Sequence, residues 1–120
     1  MIRTLGVCGF LLLACAAVSS DEDYTSGNWL LGSCTITVKG MDDKNHSQDV
    51  YESYRDGWCR GIVAGVSDAS PKVCPDANVI HGQAVRVVLK YLQDHPEELH
   101  VNGSALAEKA LARAFPCKAP

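Results

Sequence analysis

Along most of this chain apolar residues recur every three or four positions, which is the spacing of one face of a helix. The clearest stretch is residues 79–94. Ile80, Ala84, Val87, Val88 and Tyr91 share one face there, and Gln83, Arg86, Lys90 and Gln93 share the other. Pro96 ends this helix, because the residue before a proline avoids helical geometry. It also suits the first position of a fresh turn over residues 96–99. Residues 104–114 predict a last helix, with Leu106, Ala110, Leu111, Ala114 and Phe115 inward. Lys109 and Arg113 sit near its favourable negative end, and Pro116 stops it.

Residues 48–68 predict the longest helix, with Asp49 and Glu52 in the first turn, where the helix dipole favours negative charge. Tyr51, Tyr54, Trp58, Ile62 and Val66 form its apolar stripe. Gly57, Gly61 and Gly65 recur every four residues beside that stripe. Each costs about 1 kcal/mol against alanine in a helix interior, so we expect them to form a close-packing face against a neighbouring helix. Residues 28–38 carry two patterns. Leu30, Leu31 and Cys34 fit a helix face, whereas Thr35, Ile36, Thr37 and Val38 are strand-like; the expectation is a helix that stops early. Residues 40–47 and 70–78 read as loops, the second holding two prolines. The fold class predicted is all-α: a small four-helix bundle-like domain.

The first 19 residues do not belong to that domain. Arg3 precedes a nearly continuous apolar run from Leu5 to Ala17, followed by small residues. This is the layout of a secretory signal peptide, and it is too short to span a bilayer. Cleavage fits after Ala14-Cys15-Ala16 or Ala17-Val18-Ser19, giving a soluble product. Leu12-Leu13-Ala14-Cys15 also matches a loose lipobox, which would make a lipoprotein anchored at Cys15. No later stretch is long and apolar enough for a membrane span. Residues 20–120 form the folded domain, with 10 basic against 14 acidic residues, or −4. That balance argues against a nucleic-acid partner, which needs a basic footprint.

Four of the six cysteines lie outside the leader: Cys34, Cys59, Cys74 and Cys117. An even number in a small exported chain points to two disulfides. Three pairings are open. The helix layout favours Cys34–Cys59, tying the first two helices, and Cys74–Cys117, tying the central loop to the C-terminus. No Cys-x-x-Cys pair suggests zinc. His95 and His100 flank Pro96-Glu97-Glu98 but do not supply converging ligands, so a helix-capping corner is the expected role. No nucleophile accompanies a base, and no phosphate-binding glycine loop is present. No catalytic residue, metal site or cofactor is expected. A disulfide-stapled helical domain without such residues is most simply a binding protein.

Particular residues carry a resemblance. Cys59-Arg60-Gly61-Ile62 with Gly65-Val66 is followed by Cys74-Pro75, Gly82-Gln83 and Tyr91-Leu92. Then come His95-Pro96-Glu97, Leu99-His100, Ala110-Leu111 and Ala114-Phe115-Pro116-Cys117. This order, over residues 30–117, resembles the Rap/Tai family of immunity proteins for type VI secretion amidase effectors. The resemblance implies a non-enzymatic, helical, periplasmic protein, often a homodimer. It further implies a cognate papain-like peptidoglycan amidase as the partner, blocked sterically at its cleft.

The surface that selects such a partner should be polar and protruding. The exposed face and exit of the third helix fit best: Arg86, Lys90, Gln93, Asp94, Glu97 and Glu98. Two other functions suit the same chain. One is an acid-stress periplasmic chaperone of the HdeA type, which would expose apolar surface when its carboxylates are protonated. The other is a Rap/Tai-like envelope binding protein without an effector.

Overall fold

The computed structural model describes residues 23–119. The expected signal peptide and the alternative lipobox at Cys15 lie outside the described residues. The first helix, α1 (Gly27–Asp42), starts where the Ser26 hydroxyl accepts from the Trp29 amide. It does not stop at the β-branched run. Ser33 Oγ donates to the Trp29 carbonyl at 2.9 Å, Thr35 Oγ1 to Leu31 at 2.8 Å and Thr37 Oγ1 to Ser33 at 3.2 Å. These back-bonds let hydroxyl side chains sit inside a helix, and the helix runs on for another turn.

Asp49 caps α2 (Val50–Ala69) by accepting from the Glu52 amide. The third helix, α3 (His81–Asp94), leads into a 3-10 turn at Pro96–Glu98. Asn102 then caps α4 (Gly103–Ala114), accepting from the Ser104 and Ala105 amides. Among the described residues there is no strand, only isolated bridges at Ser26–Asn102 and Val73–Pro116. Every helix touches the other three. Leu30, Val63, Val85, Val88, Leu92 and Leu111, drawn from all four, are almost wholly buried. Each such burial contributes about 1.5–3 kcal/mol. Ile80 is the exception to the α3 stripe: it precedes the first helical residue and is 70% exposed. Ala114, expected inward, is exposed at the last turn of α4.

Both favoured disulfides are present. Cys34–Cys59 is fully buried between α1 and α2. Cys74–Cys117 lies at the surface, beside a hydrogen bond from the Cys74 amide to the Phe115 carbonyl.

The expected glycine face is corrected. A Cβ added at Gly57, Gly61 or Gly65 would meet nothing within 4 Å, and all three face outward. Cys59 must point at α1 to reach Cys34, and residues advance about 100° round a helix. Gly57 and Gly61, two positions either side, therefore turn nearly opposite. The aromatic stripe moves with them: Tyr51 and Tyr54 are half exposed, and Trp58, Ile62 and Val66 pack only at the core's edge. Backbones come close elsewhere. A Cβ at Gly27 would lie 3.0 Å from the Leu99 carbonyl, and one at Gly103 would lie 3.0 Å from the Ser26 carbonyl. These two glycines bring the start of α1 against the start of α4.

The buried face of α2 is Arg55, Cys59 and Val63. Arg55 Nε donates to Ser33 Oγ at 2.7 Å, Nη2 to the Trp29 carbonyl at 2.9 Å and Nη1 to the Tyr51 hydroxyl at 2.8 Å. Its guanidinium lies 3.5 Å over the Trp29 ring. Among the described residues no carboxylate pairs with it.

Three ion pairs join separate elements: Arg86–Asp42, Lys72–Glu108 and Lys109–Glu98. The hydrogen bonds from Arg86, Lys72 and Lys109 hold Asp42, Glu108 and Glu98 below the ordinary carboxylate range. The carboxylates in turn raise the three cations.

Two outcomes follow from this architecture. Arg55→Lys should cost about 1–3 kcal/mol in urea unfolding, because an ammonium cannot span three acceptors and stack on Trp29; a change under about 0.5 kcal/mol would show that the guanidinium fork is dispensable. A carboxylate with a depressed folded value contributes stability that is complete above its unfolded value and is lost as pH falls through the folded value. Melting temperature should therefore hold near neutrality and decline below about pH 4. Asp42→Asn and Glu98→Gln should flatten that decline, and an unchanged slope in both would rule these pairs out as its source.

Candidate functional site

The amphipathic pattern of α3 buries Ala84, Val85, Val88, Leu89, Tyr91 and Leu92. It leaves Gln83, Arg86, Lys90 and Gln93 outside. On α4 the residues facing Tyr91 are small, Ala110 and Ala114, so the two helices cannot close the space between them with side chains. A shallow, open groove of about 490 Å³ results. Val87, Tyr91, Ala110 and Ala114 give it a largely apolar floor. Arg86, Lys90, Asp94, His95 and Arg113 stand around it.

The exit of α3 is built as a knot. The Tyr91 hydroxyl donates to Glu98 at 2.6 Å, and Lys109 of α4 bonds the other oxygen of the same carboxylate at 2.6 Å. His95 stacks on the Tyr91 ring at 4.0 Å with 15° between planes, and its Nδ1 lies 2.8 Å from the Tyr91 carbonyl. His95 thus closes the helix end, as a capping corner should. The Lys109 ammonium and the Arg113 guanidinium lie 5.9 Å and 5.8 Å from the Tyr91 ring centroid. Hydrogen bonds from Lys109 and then Tyr91 keep the Glu98 carboxyl low.

Of the surface residues singled out from sequence, Arg86, Lys90 and Asp94 come together on this groove. Arg86 is bonded to Asp42 of α1, and Lys90 to Asp94 one turn on at 2.9 Å. Gln93 and Glu97 are exposed but lie outside its lining. Glu98 turns back into the knot. Sequence reasoning missed Arg113 and the open floor at Ala110 and Ala114. The available signal was the pair of alanines four residues apart on α4, opposite a tyrosine.

All four cysteines of the described residues are in disulfides. Among the described residues no three His, Cys, Asp or Glu side chains converge to hold a metal ion. What the arrangement offers is a preformed surface: an apolar trough with charged edges, held by two covalent staples.

No curated protein and no solved structure matches the chain. A family model does, over residues 26–117, from the residue that caps α1 to the cysteine that closes the second disulfide. Its description is Rap1a immunity proteins. Because the match takes in all four helices and both disulfides, the chain belongs to the Rap1a immunity protein family.

Proposed function

We propose that this protein is exported to the periplasm and there neutralises a secreted effector, a papain-like peptidoglycan amidase delivered by type VI secretion. The observation that carries the reading is the family match over the whole folded domain. Two disulfides are compatible with an oxidising compartment. Among the described residues no helix is long and apolar enough to cross a membrane.

The mechanism is steric. The bound protein covers the amidase cleft, so the D-glutamyl–diaminopimelate bonds of the wall never reach the nucleophile. Pre-organisation favours this, since a stapled bundle has little flexibility left to lose when it binds. The contact surface in this reading is the exposed face and exit of α3: Arg86, Lys90, Gln93, Asp94, Glu97 and Glu98. Three of these edge the α3–α4 groove, and Glu97 protrudes from the 3-10 turn. The active species in this reading is a homodimer.

The oxidised mature domain, mixed with a purified cognate amidase, should abolish peptidoglycan cleavage at a fixed stoichiometry. Lys90→Glu and Glu97→Lys should each weaken inhibition by about tenfold or more. Unimpeded cleavage at excess wild-type protein would sink the reading. Full inhibition by both variants would place the contact elsewhere. Light scattering of the same sample should give twice the protomer mass, and a monomer at micromolar concentration would remove the dimer from the proposal.

A further inference from the structure

We infer that the α3–α4 groove selects a segment of the effector in which an apolar side chain is flanked by a carboxylate, and that Arg113 receives the carboxylate. This rests on the immunity reading and specifies the chemistry of the partner.

The cations around the groove are not equivalent. Arg86 is neutralised by Asp42 and Lys90 by Asp94. Lys109, behind Tyr91, is held by Glu98. Among the described residues Arg113 alone of these makes no ion pair and no side-chain hydrogen bond. Its guanidinium stands at the edge of the trough, near the Tyr91 ring. A planar guanidinium offers a carboxylate two parallel hydrogen bonds, so the group best suited to that position is an Asp or Glu side chain.

The floor decides the rest. Val87, Tyr91, Ala110 and Ala114 line an apolar patch. An aliphatic or aromatic side chain laid there is removed from water on both sides. The domain as a whole carries −4, which disfavours an acidic partner approaching at random. An acidic segment is favoured only where a local unpaired cation meets it, and Arg113 fixes that place. A basic segment would instead bring like charge against Arg113, which supplies discrimination as well as affinity.

The test does not need the effector. The oxidised mature domain, labelled with nitrogen-15, is titrated with two capped tetrapeptides, Asp-Leu-Phe-Asp and Lys-Leu-Phe-Lys. The acidic peptide should shift the amides of Val87, Tyr91, Ala110 and Ala114 and bind about tenfold tighter than the basic one. Raising salt should reduce that difference. Arg113→Glu, an exposed position on a helix that should fold normally, should abolish or invert the preference, and Arg113→Lys should retain part of it. Equal binding of the two peptides, shifts outside the groove, or none up to millimolar peptide would each overturn the inference. Inhibition of the purified amidase by wild type and Arg113→Glu is the second arm. Failure of the wild type there would count against the immunity reading, while the titration still decides the groove.

Discussion

A buried guanidinium determines how this bundle is assembled. Arg55 enters the space between α1 and α2, bonds a backbone carbonyl and a hydroxyl of α1, and covers one face of Trp29. The absence of a side chain at Gly32 makes room: a Cβ there would lie 2.5 Å from Arg55 Nη2. The same face of α2 carries Cys59, bonded to Cys34 one turn further along α1 from Leu30. Two different forces, one covalent and one polar, thus fix the rotation of α2 in the same sense. Desolvating a cation is costly unless its donors are satisfied. Here three acceptors and one π face are provided, all from residues close to each other on α1 and α2.

Once α2 is rotated this way, its remaining buried positions serve as one wall of a core closed by α3 and α4. Gly27 and Gly103 let the starts of α1 and α4 approach, and the Gly103 amide donates to the Thr25 carbonyl. The outer side of α3 and α4 is then free to differ from the packed side. It carries a trough because small residues on one helix oppose a tyrosine on the other, and its edge charges are largely balanced from within. A surface of this sort needs little rearrangement to meet a partner, which suits a member of an immunity protein family.

Much of this was legible along the chain. The spacing of Ala84, Val88 and Tyr91, the prolines at 96 and 116, and the acidic start of α2 at Asp49 and Glu52 mark the helices directly; the caps at Asp49 and Asn102 appear only in the structure. The order of helices favoured the observed disulfide pairing but left the other two pairings open. The rotation of α2 was not legible from composition. Tyr51, Tyr54, Trp58, Ile62 and Val66 make a longer apolar row than Cys59 and Val63 do, and a charged residue such as Arg55 reads as solvent-facing. Only the partner groups on α1, which lie more than twenty residues away in sequence, make its burial favourable. The threonine run failed as a stop signal for a related reason: strand preference is weak where a hydroxyl can bond its own helix. The groove was half legible. Arg86, Lys90 and Asp94 fall on one face by spacing, but Arg113 reaches them only through the packing of α4 on α3.

The surface disulfide joins residues 43 apart, and between them lie the whole of α3, the 3-10 turn and α4. The groove is therefore carried on a closed covalent ring. A single peptide-bond cut within that ring, at the exposed turn around Glu97 for example, would leave both halves attached and in register. Where proteases are present, the groove would outlast the continuity of the chain that bears it.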